Sequence, residues 1–201
     1  MNALNRLGAA IAVSSLSLAM LGCGGQGGSS SSQTSQANTQ NNVDVASTNT
    51  QTRTPISSLS VSDYSLNKCI QSTGREFVED ITALVCNNQG VQTLEGIEQL
   101  TELKLLHLSF NNIQDITPLV ELTKLQSLYL SGNEIYDLDA ISSLTQLTEL
   151  GIQKNYVQDL SPLQSMTSLK SLHAHSNQIR DFTILNELQL SQLSGQSQQE
   201  S

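Results

Sequence analysis

The sequence predicts an α/β solenoid, a coil of short parallel strands joined by turns and 3₁₀ pieces and closed at its amino end by a short helical cap. Three observations predict it. Asn111, Asn133, Asn155 and Asn177 stand 22 positions apart. Apolar residues recur eight, five and three positions before each Asn: Leu103, Leu106 and Leu108; Leu125, Leu128 and Leu130; Leu147, Leu150 and Ile152; Leu169, Leu172 and Ala174. Aromatic residues are only 3% of the chain and Trp is absent, so the core must come from Leu and Ile stacked repetitively rather than from a few large rings.

In chain order, residues 1–22 read as a secretion signal, with Arg6 near a positive start and an apolar stretch from Leu7 to Leu21. That stretch is too short and too rich in Ser, Gly and Ala to make a good spanning helix. It ends in Met20-Leu21-Gly22-Cys23, which resembles the bacterial lipobox, although Met20 replaces the usual Leu. The resemblance implies that Cys23 is lipidated and serves as an anchor. It also implies the outer membrane of a Gram-negative envelope, because neither Gly24 nor Gly25 is the Asp that retains such proteins at the inner membrane. Several acyl chains hold such an anchor stably, at about 0.8 kcal/mol per buried CH₂. The alternative is an ordinary cleaved signal with an incidental Cys.

Residues 23–60 are Gly, Ser, Gln, Asn and Thr with few large apolar side chains, which cannot offset the entropy of ordering. They are expected to form a disordered tether with a root-mean-square span of roughly 35 Å. Residues 61–77 follow as a cap, with Asp63 starting a short helix on which Leu66, Cys69, Ile70 and Thr73 fall at helical spacing. The repeats occupy residues 78–190. After each Asn come Ile113, Ile135, Val157 and Ile179. A second apolar pair follows: Ile116 and Leu119, Leu138 and Ile141, Leu160 and Leu163, Phe182 and Leu185. An earlier, degenerate copy puts Gln89 where the Asn belongs and brings the count to about five repeats. The register fails at Ser191 and Ser194, so residues 191–201 are expected to be a disordered tail.

The motif L-x-x-L-x-L-x-x-N-x-I resembles the leucine-rich repeat. With the 22-residue period, Asp-Ile-Thr-Pro-Leu at 115–119 and Asp-Leu-Ser-Pro-Leu at 159–163 are similar to the internalin class. The resemblance implies a right-handed superhelix, with the parallel sheet on the concave side and turns or 3₁₀ pieces on the convex side. Each Asn should turn inward and bond main-chain groups at the bend, because an unsatisfied buried polar group costs about 1–3 kcal/mol. Gln89 is one methylene too long to do so well. In an exported chain Cys69 and Cys86 can form a disulfide contributing roughly 3 kcal/mol; two buried free thiols are the alternative.

Side chains alternate along a strand, so the residues between the inward Leu positions face outward. Leu105, His107, Tyr129, Glu149 and His173 fall on that concave face, and Phe110, Lys154 and His175 on its rim. They are candidates for contact with a protein or peptide ligand, since exposed aromatics carry much interface energy; the alternative is a solvated sheet surface without a ligand. His107 and His173 lie roughly 14 Å apart and cannot share an ion. His173 and His175 face one side but lack a clear third ligand, so no metal is expected.

No H-E-x-x-H, G-x-S-x-G, C-x-x-C or P-loop occurs, and regular repeats lack a deep pocket, so neither an enzyme nor a cofactor is expected. Glu149 and Lys154 read as a surface pair. The formal charge of −9 falls to about −10 once Arg6 leaves with the leader (8 basic against 18 acidic residues), which would repel phosphate backbones and argues against nucleic acid. The expected role is a membrane-anchored binding module touching the membrane only through its lipid. A structural envelope lipoprotein without a discrete ligand is the other reading, and the oligomeric state is open. Mass spectrometry of the mature protein should find an amino-terminal Cys23 carrying acyl chains; an unmodified terminus would contradict the anchor.

Overall fold

Apolar residues at the centre of each three-residue strand, flanked by outward positions, draw six strands into one parallel sheet in simple chain order. In the computed structural model, which describes residues 53–194, these are β1 (Ala83–Val85), β2 (Leu105–His107), β3 (Ser127–Tyr129), β4 (Glu149–Gly151), β5 (Ser171–His173) and β6 (Gln192–Ser194). The expected leader, the Cys23 anchor, most of the tether and residues 195–201 lie outside the described residues.

The register from β1 to β5 advances by the sequence period: Leu84 pairs with Leu106, then Leu128, Leu150 and Leu172. All five are buried, and the Leu, Ile and Val positions of the other columns join them in one continuous core. Each buried Leu or Ile contributes about 1.5–3 kcal/mol in transfer terms. None could be buried by its own coil alone, so the stability belongs to contacts between neighbours.

The asparagines form an inward ladder. Asn133 Nδ2 donates to the carbonyls of Leu108 (3.0 Å) and Leu130 (2.8 Å), while its Oδ1 accepts from Ile113 N (3.1 Å). Asn155 repeats this with Leu130, Ile152 and Ile135, and Asn177 with Ile152, Ala174 and Val157. Asn111 bonds the Cys86 and Leu108 carbonyls and accepts from the N–H groups of Gln89 and Val91. Gln89 itself is exposed and turns its amide to the Asn87 carbonyl, leaving the first coil without an inward amide of its own.

On the return path the backbone makes 3₁₀ segments at Thr117–Glu121, Asp139–Ser143, Ser161–Ser165 and Thr183–Asn186. Each is preceded by an aspartate, Asp115, Asp137, Asp159 or Asp181, whose Oδ1 accepts the N–H two residues on at 2.7–2.8 Å. This side-chain turn substitutes for a backbone bond. Pro118 and Pro162 sit at the start of their segments, where a missing N–H costs nothing.

The amino-terminal cap starts earlier than expected. Residues 53–60, assigned to the tether by their polarity, fold back: Pro55 bridges Phe77, and Ile56 is buried with main-chain bonds between Ile56 and Glu76 and between Thr54 and Val78. One buried Ile with Leu59 and Val61 packed behind it is enough apolar surface to order the segment. The backbone passes so close to Gly96 that a Cβ there would lie 2.2 Å from the Ser60 carbonyl oxygen, and Gly96 has φ +98°. Helix α1 (Tyr64–Gln71) is capped as expected by Asp63, which accepts from Leu66 N at 2.9 Å. The other Asp63 oxygen accepts from Gln92 N at 2.8 Å, tying the cap to the first coil. Burial pushes the Asp63 carboxyl up, but the N–H donors of Gln92, Leu66 and their neighbours leave it below its ordinary value. Cys69 and Cys86 are joined in a disulfide between helix and first coil, with Cα atoms 5.9 Å apart.

The carboxyl end also differs from expectation. Residues 191–194, assigned to the tail, form β6, with Ser171 opposite Gln192, one residue short of the period. The Lys170 carbonyl accepts from the N–H groups of Ser191 and Gln192, as Thr148 O does from Lys170 and Ser171, so main-chain pairing persists after the side-chain register is lost. Among the described residues no coil covers the far side of β6, and the inward positions open: Phe182 and Leu193 are exposed and Leu185 is half-buried.

Replacing Asn133 by Ala leaves the buried Ile113 N–H without a partner and takes one of two amide donors from the Leu108 and Leu130 carbonyls, which Asn111 and Asn155 still bond, so it should cost about 1–3 kcal/mol in urea unfolding. A loss under about 1 kcal/mol would mean the ladder is incidental.

Candidate functional site

The outward positions of the strands form columns across the sheet. One runs Val85, His107, Tyr129, Gly151, His173, and the next Ala83, Leu105, Ser127, Glu149, Ser171. The rim column, one residue before each inward Asn and before Gln89 in the first coil, contains Asn88, Phe110, Gly132, Lys154 and Ser176. All five have positive φ, from 54° to 68°. The bend that turns each Asn inward therefore demands a left-handed residue, which Asn and Gly supply cheaply and a bulky side chain does not. Phe110 accepts φ 61° at a cost of about 1–2 kcal/mol and still exposes 57% of its surface.

The expected site residues cluster unevenly. His107 and Tyr129 are in contact, ring centroids 4.2 Å apart at 37°. The Tyr129 hydroxyl donates to Glu149 Oε2, which fixes the ring across β4. Gly151 makes room for that ring, since a Cβ there would lie 2.9 Å from Tyr129 Cδ1. The Phe110 ring likewise rests over Gly132, where a Cβ would lie 2.7 Å from Cδ1. Val85, not among the expected residues, extends the patch at the amino end and is 60% exposed. Leu105 is half-buried beside it. Val85, Leu105, His107, Tyr129 and Phe110 thus gather the aromatic and aliphatic outward positions on the amino-terminal half of the sheet.

The carboxyl-terminal half is polar. His173 lies 3.3 Å from Ser171 Oγ, and His175 lies 3.2 Å from Ser176 Oγ. Lys154 is exposed on the rim. Glu149 pairs with the Tyr129 hydroxyl rather than with Lys154; the ion pairs among the described residues are Arg53–Asp80 and Lys124–Glu102. Among the described residues no three His, Cys, Asp or Glu side chains come together as metal ligands, and no helix is long and apolar enough to cross a membrane.

The electrostatics follow the packing. Burial lowers the His107 pKa, against the opposing pull of the Glu149 charge, and so favours the uncharged imidazole. The hydrogen bond to Glu149, then burial, then the Glu149 charge push the Tyr129 phenol up to about 12.

Comparison with known proteins places this arrangement. The family model for leucine-rich repeats in two copies matches residues 123–165 and 145–187. An internalin (InlF) from Listeria monocytogenes superimposes with a TM-score of 0.66 at 32% identity, over 75% of this chain and 48% of that one. The chain spans about half of that internalin's length. Internalin C2 (InlC2) from the same organism gives a TM-score of 0.55 at 30% identity, over 73% of this chain and 79% of that one. A leucine-rich-repeat protein from Leptospira interrogans gives 0.50 at 28% identity, over 58% and 29%. No curated protein matches the chain.

Because the raised Tyr129 pKa favours the protonated phenol in the fold, that stabilisation is complete below pH 10 and is lost as pH rises from 10 towards 12. Replacing Glu149 by Gln should move the Tyr129 transition, followed by tyrosinate absorbance, back towards 10. An unmoved transition would contradict the pairing.

Proposed function

This chain belongs to the internalin-like family of leucine-rich-repeat proteins, and we propose that it is a membrane-anchored binding module that takes a protein or peptide on the concave, strand-bearing side of its repeats. One observation carries the reading: the neighbouring strands β1 to β3 and their rim present Val85, Leu105, His107, Tyr129 and Phe110 outward, with Phe110 both strained and exposed. The bend imposes left-handed backbone on every occupant of this column, so what points to a site is the choice of an exposed aromatic where Gly or Asn would fit without strain.

The patch suits recognition rather than catalysis. Tyr129 is pre-oriented by Glu149 and by contact with His107, so little side-chain entropy is lost on docking. Aromatic anchors of this kind dominate interface energies. Gly132 and Gly151 keep the surface low around the two rings, which lets a partner reach their faces. The polar half of the sheet, with Glu149, Lys154, His173 and His175, then supplies the rim that fixes orientation. A lipid on Cys23 and a polar tether would keep the head at the envelope surface while letting it turn. The acidic balance of the chain disfavours nucleic acid as the ligand.

Phe110→Gly separates binding from folding. The substitution removes left-handed strain, so the fold should be as stable or more stable by up to about 1 kcal/mol. Capture of a partner from detergent-solubilised envelope should nonetheless fall at least about 30-fold for Phe110→Gly combined with Tyr129→Ala. Undiminished capture would show that this patch is not the binding surface.

A further inference from the structure

Tyr136 and Tyr156 lie on the flank of the solenoid, between the Asn bend and the 3₁₀ segments, away from the strand face. Their rings stack with centroids 5.0 Å apart at 18°, yet remain 58% and 38% exposed. The pair is not a product of the repeat: Tyr136 stands three residues after its Asn and Tyr156 one, so the coils align Tyr136 with Gln158 and Tyr156 with Glu134. Beside Tyr136 opens a shallow cleft of about 350 Å³, lined by Tyr136, Asp137, Asp139, Gln158, Asp159 and Pro162.

The carboxylates of this cleft are tied by short-range hydrogen bonds rather than by cations among the described residues. The Ser161 hydroxyl and N–H hold the Asp159 carboxyl below its ordinary value, and both its oxygens accept from Ser161. Asp137 uses only Oδ1 for its bond to Asp139 N. Neither Asp137, Asp139 nor Asp159 makes an ion pair among the described residues. Arg180, in the same column as Tyr136 and Gln158, lies two coils beyond Tyr136, roughly 10 Å away.

We propose that this flank is a second docking site, distinct from the strand face, which takes an arginine side chain from a basic segment of a partner protein. The guanidinium stacks on the exposed face of Tyr136, as planar cations do over aromatic rings, while its N–H fork reaches Asp137 Oδ2 and Asp139. Tyr156 braces the Tyr136 ring from behind. Arginine fits better than lysine because only its planar, forked group can stack and bridge carboxylates together. The formal charge of −9 favours a basic partner over the whole surface, and the tyrosine pair gives that general attraction a fixed address.

The test is calorimetric titration of the full chain, in non-ionic detergent, with a tetra-arginine peptide and with its tetra-lysine counterpart. The arginine peptide should bind at least about fivefold tighter than the lysine peptide. Tyr136→Ala with Tyr156→Ala should weaken it about five- to tenfold, and Asp137→Asn with Asp139→Asn at least as much, since Asn keeps the turn bond but not the charge. Tyr136→Phe with Tyr156→Phe should retain binding, which guards against mere unfolding, and Phe110→Gly should leave it unchanged. The proposal is overturned if the two peptides bind alike, if the tyrosine substitutions have no effect, or if neither peptide binds.

Discussion

The inward asparagine amide is the interaction on which the molecule depends. A strand that stops after three residues and reverses exposes main-chain donors and acceptors to a hydrocarbon interior, where each unpaired group costs about 1–3 kcal/mol. One amide answers several of them at once: Asn133 and Asn155 each join carbonyls of two adjacent coils and an N–H of the previous one. The bond is intercoil, so the device that satisfies the bend also fixes the stacking. Register, strand pairing and the buried Leu columns all follow from it.

The same bend shapes both surfaces. Turning Asn inward forces the preceding residue into left-handed backbone, and that constraint creates the rim column on which Phe110 and Lys154 stand. Leaving the bend, the chain enters the flank, where each aspartate closes a turn and becomes a fixed negative charge. An apolar strand face and an acidic flank are therefore two sides of one repeated geometry. What differs between coils is only the side chains that the geometry leaves free, and these hold Tyr129, Phe110, Tyr136 and Tyr156.

Much of this was legible in the residues. The asparagine spacing and the Leu offsets determine the sheet register, and Asp63 marked the helix cap, because short-range periodicity reports which face is buried. The ends were misread for a reason that is equally physical. Ile56 is a single apolar residue in a polar run, invisible to composition but sufficient once Leu59 and Val61 pack behind it. At β6 main-chain pairing outlasts the side-chain pattern, and pattern was all that could be read. The strand-face residues were found because alternation is strict. The left-handed column, however, shows only when Asn88, Gly132 and Phe110 are seen as occupants of one position, and the tyrosine stack joins two positions the period keeps apart.

Hydrogen exchange tests the central claim most directly, read at the main-chain N–H groups of Ile113, Ile135 and Val157, which donate to asparagine side chains rather than to the backbone. If those amides hold the coils together, they exchange as slowly as the amides of the paired strands, opening only when the repeats unfold together. Exchange at the rate of an exposed loop would show that the coils stack without the ladder.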